Sequence, residues 1–390
     1  MKTDTLIKGM DISTLLELEE LGAAYYDGGK KEDLFTILKR YGVNAVRLRL
    51  WNDPYSETGI PYGAGKNDLA TTLILAKRAK QAQMGILLDF QYSDFWADPG
   101  KQTIPKAWRG FSDEELAAAV FTFTRDTLLV LKKEGAFPDM VQVGNELTNG
   151  LLWPNGKKPN YDCIAGFVNA GIRGVRAVSK ETPVMLHLDN GGNLAMYQDW
   201  FDRYMERREK LDFEIIGLSY YPFWHGTMQM LADNMRMLAA RYRKDLIVCE
   251  TSMGYTLDDY AQYEKLPAKD RKGMATKPAL VKNLEFAMTK EGQCQFMKTL
   301  TGLITSVPDN RGRGYFYWEP AWIPVPGCGW ANEAALTYIK ETGPGGNEWA
   351  NQALFDYEGN ALPALRVIRD YPKGVLHGKK EEDQHGIPLL

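Results

Sequence analysis

Two glutamates in this chain each close an apolar run: Val141-Gln142-Val143-Gly144-Asn145-Glu146 and Leu246-Ile247-Val248-Cys249-Glu250. Two carboxyl groups that face each other can divide labour. One stays ionised and attacks an electron-poor carbon, while the other stays protonated and gives its proton to a departing oxygen. At a separation of about 5 to 5.5 Å, such a pair suits hydrolysis of a glycosidic bond with retention. A lone glutamate at a strand end is more often a solvated or salt-bridged loop residue. Here the Asn145-Glu146 pair, answered by a second glutamate at an equivalent place further on, favours chemistry.

Other polar residues crowd the ends of apolar runs: Asp11, Arg47, Arg49, Asp89, Gln91, Asp94, His187, Asp189, Tyr220, Tyr221 and Glu319. Aromatic side chains fall at or just beyond the same places, namely Trp51, Trp96, Trp108, Trp153, Tyr221, Trp224, Trp318 and Trp322. Sugar rings have apolar faces that pack on such platforms. About half of these aromatics are expected to be ordinary packing, since tryptophan is common in cores.

The elements that must position these groups alternate. Eight short apolar, β-branched runs are expected as strands: Ile7 to Ile12, Asn44 to Trp51, Gly85 to Phe90, Met140 to Glu146, Val184 to Leu188, Ile215 to Tyr221, Leu246 to Glu250 and Gly314 to Trp318. Helical periodicity fills the intervals at Lys31 to Tyr41, Leu69 to Gln83, Asp113 to Glu134, Tyr161 to Val178, Trp200 to Leu211, Met228 to Tyr242 and Glu291 to Val307. Ser112 with Glu115 forms a capping-box signature, and Gly42, Gly85 and Gly135 mark helix ends. Eight βα units predict an α/β fold, a single (β/α)8 TIM barrel with elaborated βα loops, whose catalytic groups would sit at the C-terminal ends of the strands. The fourth and seventh strands lie across the barrel mouth from one another, so Glu146 and Glu250 can converge. A doubly wound open sheet fits less well, because Lys8-Gly9-Met10-Asp11-Ile12-Ser13 is not a glycine-rich phosphate turn.

Composition sets the outer bounds. With 390 residues, 44% of them apolar and 25% charged, the chain can bury a large core. No linker interrupts the alternation, so residues 1–390 are expected to form one catalytic domain, with a polar C-terminal tail from about 374 to 390. A net charge of -3 offers no basic field for a nucleic acid, and no run is long enough to span a membrane. The cysteines Cys163, Cys249, Cys294 and Cys328 have no metal-binding spacing and read as small apolar residues, with Cys163 and Cys328 candidates for surface thiols. Two of the four histidines, His377 and His385, fall in the tail, which leaves few nitrogen ligands for a metal. The N-terminus lacks the apolar stretch of a signal peptide, so a cytoplasmic location is expected, or an extracellular one with its leader removed.

Several stretches, in order and spacing, resemble the arabinogalactan endo-β-1,4-galactanases of glycoside hydrolase family 53. They are Lys8-Gly9-Met10-Asp11-Ile12-Ser13, Val46-Arg47-Leu48-Arg49-Leu50-Trp51, Ser93-Asp94-Phe95-Trp96-Ala97-Asp98-Pro99, Gly144-Asn145-Glu146, Gly150-Leu151-Leu152-Trp153-Pro154, His187-Leu188-Asp189, Ser219-Tyr220-Tyr221-Pro222-Phe223 and Tyr317-Trp318-Glu319-Pro320-Ala321-Trp322. The resemblance covers almost the whole chain and implies an endo-acting, retaining hydrolase of β-1,4-galactan or galacto-oligosaccharides.

It further implies that Glu146 is the acid/base and Glu250 the nucleophile. Asn145 would bond the sugar 2-hydroxyl, Arg47 would lie near the nucleophile, Tyr220 would donate to it, and Trp318 would floor the subsite. Asp89, Asp94, Trp96, His187 and Asp189 complete the expected substrate-binding set. No cofactor is expected, and the chain is expected to be a monomer. A structural calcium could use Asp258, Asp259 and Asp270, although a solvated acidic loop is the preferred reading. Two departures bear on specificity: Gln91 stands where the family usually has histidine, and Thr251-Ser252-Met253-Gly254-Tyr255-Thr256 replaces an aromatic-proline pattern. Alternative readings are a related β-glycanase of the same clan with shifted specificity, or a carbohydrate-binding barrel without catalysis.

Overall fold

In a computed structural model, which describes residues 5–207, 209–258, 260 and 277–371, the eight apolar runs form parallel strands. These are β1 (Ile7–Asp11), β2 (Ala45–Leu50), β3 (Gly85–Phe90), β4 (Met140–Val143), β5 (Val184–Leu188), β6 (Ile215–Tyr220), β7 (Asp245–Thr251) and β8 (Gly312–Tyr317). Each pairs with its neighbour in sequence, and β1 pairs with β8 to close the barrel. The expected fold class is therefore the observed one.

The connecting helices are α1 (Leu34–Arg40), α2 (Leu69–Gln81), α3 (Asp113–Lys133), α4 (Tyr161–Val178), α5 (Leu194–Met205), α6 (Met228–Tyr242), α7 (Lys290–Thr305) and α8 (Ala364–Asp370). The first seven start on a polar cap, Asp33, Asp68, Ser112, Asn160, Asn193, Thr227 and Thr289 in turn, whose side chain accepts from a backbone N–H in the first turn. Such caps satisfy amides that the helix leaves unpaired. They also explain two shifted boundaries. Helix α5 begins at Leu194 rather than Trp200 because Asn193 caps it, and α1 begins after Lys30–Glu32, which pairs instead in a hairpin with Tyr25–Asp27. Gly85 is the first residue of β3; Gln83 takes the left-handed position before it, at φ +59°.

Strand alternation sorts the barrel interior into two layers. The lower layer is apolar, built from Ile7, Ala45, Leu87, Met140, Met185, Ile215, Ile247, Cys249 and Phe316. One or two pleats further along, the same faces carry Asp11, Arg47, Asp89, Gln142, His187 and Ser219, none of them exposed. Outward-facing residues such as Met10, Val46, Leu88, Val141 and Val248 join the larger core beneath the helices. Cys328, expected as a candidate surface thiol, is buried, whereas Cys163 and Cys294 are half-buried. The C-terminal tail with His377 and His385, and the calcium candidates Asp259 and Asp270, lie outside the described residues. No described helix is long and apolar enough to cross a membrane.

The lower layer closes on a fit between a missing side chain and a large one. Gly9 faces Phe316 across the β1–β8 pair, and a Cβ at Gly9 would come within 2.3 Å of the Phe316 ring. Gly9→Ala is expected to destabilise the protein by about 1–3 kcal/mol through overpacking. Adding Phe316→Leu should recover part of that loss in a denaturant-unfolding double-mutant cycle; simply additive costs would contradict the account.

Candidate active site

Two irregularities aim the glutamates. On β7, Leu218 of β6 pairs with Val248 while Ser219 pairs with Glu250, so Cys249 is an extra residue, a bulge. Strict alternation would send Glu250 outward, since Ile247 and Cys249 face in; the bulge turns it back to the barrel mouth. On the other side, β4 ends at Val143 rather than running to Glu146. Gly144 at φ +80° and Glu146 at φ +46° break the pleat, which brings both Asn145 and Glu146 to the mouth. A Cβ at Gly144 would lie 2.5 Å from Leu147 Cδ2, in a backbone region that already favours glycine.

An oxygen of Glu146 and an oxygen of Glu250 lie within 4.8 Å of each other. Their surroundings differ. Glu250 Oε1 sits 2.9 Å from Arg47 Nη1, and its Oε2 accepts from the Tyr221 hydroxyl at 3.0 Å. Arg47 is fully buried and spends its remaining donors on Asp11 (2.8 Å), Asp89 (2.9 Å), Asn145 (2.8 Å) and Gln142 (3.1 Å). Burial leaves the Glu250 carboxyl above its ordinary range even though the Arg47 guanidinium and the Tyr221 bond pull it down. Glu146 has no such cation. Burial pushes its carboxyl well above the ordinary carboxylate range, the charges of Glu250 and Asp189 push further, and only the Ser219 hydrogen bond opposes. The proton of the pair therefore belongs on Glu146.

The Ser219 bond has a fixed direction. Ser219 Oγ donates to Glu146 Oε1 at 2.7 Å and lies 2.8 Å from His187 Nε2. With its proton committed to the carboxylate, the hydroxyl accepts from Nε2–H, and His187 Nδ1 is left to accept from the Glu146 backbone N–H at 3.3 Å. Burial, with Arg47 nearby, holds the imidazole far below its usual pKa, so it stays neutral. Glu146, His187 and Glu250 also form a grouping with ligand atoms close enough for a metal. The fit is poor, because both ring nitrogens are engaged and Arg47 already supplies positive charge at Glu250.

Above the pair lies a cleft of about 280 Å3, lined by Arg49, Gln91, Trp96, Asp98, Lys101, Asn145, Glu146, Tyr221, Trp224, Glu250, Trp318, Trp330, Glu348 and Trp349. Arg49 lies over the Trp96 ring at 4.6 Å and near Trp318 at 5.7 Å while pairing with Glu319 at 2.6 Å. That buried acid and Asp89 share Arg49 and Arg47 with Asp11 and Glu250, four acids to two cations; burial raises Glu319 and Asp89 to about 7, against Arg49 and Arg47 respectively. Gln91 accepts from Trp51 Nε1 at 2.8 Å and donates to Asp89 at 3.1 Å, joining the aromatic wall to the Arg47 network without a titratable ring.

The expected substrate contacts separate accordingly. Trp96, Asn145 and Trp318 line the cleft, whereas Arg47, Asp89 and His187 are buried beneath it. Asp94 is also buried, accepting from the backbone N–H groups of Asp53 (3.0 Å) and Lys106 (2.6 Å), so it shapes a loop and does not face the cleft. Asp189 accepts from Thr148 outside the cleft wall and acts on Glu146 through its charge. Tyr220 does not donate to Glu250. It points away from the barrel axis and bonds Gly226 O at 2.9 Å, because Ser219 faces in and its neighbour must face out; Tyr221, past the strand end, makes the contact. Of the sequence aromatics, Trp96, Tyr221, Trp224 and Trp318 reach the cleft, while Trp51, Trp108, Trp153 and Trp322 do not line it. Trp330 and Trp349 were not foreseen. They lie in the long segment between β8 and α8, where a glycine- and asparagine-rich setting was the available signal.

A family model described as glycosyl hydrolase family 53 matches residues 7–368. An endo-beta-1,4-galactanase of Bacillus subtilis is 37% identical over 393 residues, covering 96% of this chain and 88% of its own. An arabinogalactan endo-beta-1,4-galactanase of Cellvibrio japonicus is 36% identical, covering 93% of this chain and 90% of its own. Among solved structures, a GH53 catalytic domain from Ignisphaera aggregans superposes with a TM-score of 0.85 at 39% identity, covering 95% of this chain and 96% of that one.

Removing the Ser219 hydroxyl takes away the one bond that favours ionised Glu146. In Ser219→Ala, the alkaline limb of the pH profile of kcat/KM should move upward, since the protonated form survives to higher pH. The plateau rate should fall roughly tenfold, equivalent to ~1.4 kcal/mol of lost positioning. An unmoved alkaline limb, measured across the full pH range, would show that Glu146 does not set it.

Proposed function

The chain belongs to glycosyl hydrolase family 53, and from that membership we propose an endo-acting hydrolase of β-1,4-galactosidic bonds in galactan and arabinogalactan, working by double displacement with retention. The observation that carries the mechanism is the unequal carboxylate pair, two oxygens within 4.8 Å of each other, one held by Arg47 and Tyr221 and the other by Ser219.

In this reading Glu250 attacks the anomeric carbon while Glu146 protonates the leaving oxygen. The new ester removes the Glu250 charge, and with it part of the push that keeps Glu146 protonated. Glu146 then takes a proton from water, whose oxygen attacks the same carbon and releases Glu250. Asn145, its Oδ1 fixed by Arg47 at 2.8 Å, lines the cleft where the sugar 2-hydroxyl would lie. Trp318 provides an apolar surface for the same sugar. Side chains and water suffice for both steps, so no cofactor is invoked.

Reducing-sugar release from linear galactan tests the reading with wild type beside Glu250→Ala. Wild type should release sugar steadily and the variant should lose at least about 10²- to 10⁴-fold, the span of a single positioned catalytic group. If wild type releases nothing from galactan but cuts mannan, xylan or glucan, the substrate assignment fails; release that survives in the variant removes Glu250 from the nucleophile role.

A further inference from the structure

Two side chains that hold the catalytic carboxyls stand close together in the sequence. Ser219 Oγ donates to Glu146, and the Tyr221 hydroxyl donates to Glu250. Ser219 is fixed by the pleat of β6, whereas Tyr221 stands past Tyr220, the last paired residue of that strand. The strand ladder therefore stops short of Tyr221, and the turn that follows must set the direction of its ring.

That turn is built around His225. Its backbone N–H donates to Tyr221 O at 2.9 Å, and its ring meets the Tyr221 ring edge-on with centres 5.6 Å apart. Its Nδ1 lies 3.1 Å from both Tyr221 N and Ser219 O, so one ring atom touches the main chain of both holding residues. The turn is itself anchored. The Tyr220 hydroxyl donates to Gly226 O at 2.9 Å, and a Cβ at Gly192, in the β5–α5 loop, would come within 2.1 Å of His225 O. The backbone that carries the imidazole has little room to shift.

A single nitrogen cannot serve both main-chain groups at once. Accepting from Tyr221 N–H requires a bare Nδ1, and donating to Ser219 O requires a proton on it. Ser219 O already accepts from Gly191 N–H at 2.8 Å, whereas Nδ1 is the acceptor that Tyr221 N–H has among the described residues. The proton of the neutral ring therefore belongs on Nε2. Burial holds the imidazole down at about 4, so near neutral pH it is uncharged and Nδ1 accepts. His187, the nearby ionisable ring on β5, is held neutral as well. We propose that His225 is a positioning residue for the nucleophile: by accepting from Tyr221 N–H and packing on its ring, it holds the Tyr221 hydroxyl against Glu250 and so favours the ionised carboxylate. His225 does not line the cleft and acts through Tyr221 alone. This rests on the hydrolase reading above, in which Glu250 is the nucleophile.

The test is the pH profile of kcat/KM on linear galactan for wild type, His225→Ala, His225→Asn, His225→Gln, Tyr221→Phe and the double variant Tyr221→Phe with His225→Ala. A loosened Tyr221 favours ionised Glu250 less, so the acid limb should move upward in His225→Ala by about 0.5 to 1 unit, the worth of one hydrogen bond. In His225→Asn an amide oxygen takes the place of Nδ1, and the limb should return toward wild type. In His225→Gln the amide lies near the place of Nε2, beyond reach of Tyr221 N–H, and the limb should stay shifted. Tyr221→Phe should shift the limb by itself, and His225→Ala should add nothing to it. If His225→Ala does not fold, the contrast between His225→Asn and His225→Gln decides, since both are uncharged amides. Equal profiles for those two, or a His225→Ala shift undiminished beside Tyr221→Phe, would overturn the proposal. If wild type cuts mannan, xylan or glucan and not galactan, the substrate assignment alone falls and the same profiles on that glycan test His225. If it cuts none of them, the hydrolase reading falls and the role of His225 with it.

Discussion

The whole upper layer of the barrel depends on one buried guanidinium. Arg47 has five N–H donors and uses all of them, on side chains from β1, β3, β4 and the loop after it, and β7. A cation with no exposed surface is tolerated only when its donors are met, and leaving such a pair half-made costs about 3–5 kcal/mol. Five elements must therefore present acceptors at one point, and that requirement locates Asp11, Asp89, Gln142, Asn145 and Glu250 together. The same bond that neutralises the cation favours the ionised form of Glu250 against the pull of burial. Structure and reactivity here are one electrostatic arrangement.

Around that centre, asymmetry follows from what each side of the barrel contributes. The β1–β3 side brings two arginines, the β5–β6 side none, so equal burial gives unequal carboxyls. Asp89 and Glu319, both raised to about 7, show that the cations do not balance every acid beneath the cleft. Water is kept from this layer by the aromatic wall, where Arg49 packs on Trp96 while held by Glu319. The wall and the charged layer are thus fastened to each other.

Much of this was legible in the sequence because strand alternation leaves a plain trace. Ala45, Arg47 and Arg49 mark one face of β2, and Leu87, Asp89 and Gln91 mark one face of β3; each passes from apolar to polar toward the mouth. The strand order and the convergence of Glu146 with Glu250 follow from counting eight such runs. What the sequence hid were departures from the pleat. Tyr220 was expected at the nucleophile because a count of one residue decides which face a side chain takes, and the strand's end was not visible. The run from Met140 predicts a strand to Glu146, three residues past its observed end, for the same reason, since Gly144 and Glu146 leave the strand through left-handed backbone. Trp330 and Trp349 stand in irregular backbone on either side of a short helix (Glu333–Ile339), where no periodicity marks them, and only folding shows which tryptophans return to the mouth.

The extra residue in β7 separates two things usually thought inseparable. Cys249 lets Glu250 face inward after an inward neighbour, while Thr251 pairs on with Tyr220 and Tyr317 as the strand continues. Catalytic competence is thus written as a reading frame of the pleat, one residue wide, and the residue that shifts the frame also fills a place in the lower apolar layer. Deleting that one residue would turn Glu250 outward and leave a donor of Arg47 unmet, so the bulge that aims the nucleophile also completes the charged layer beneath it.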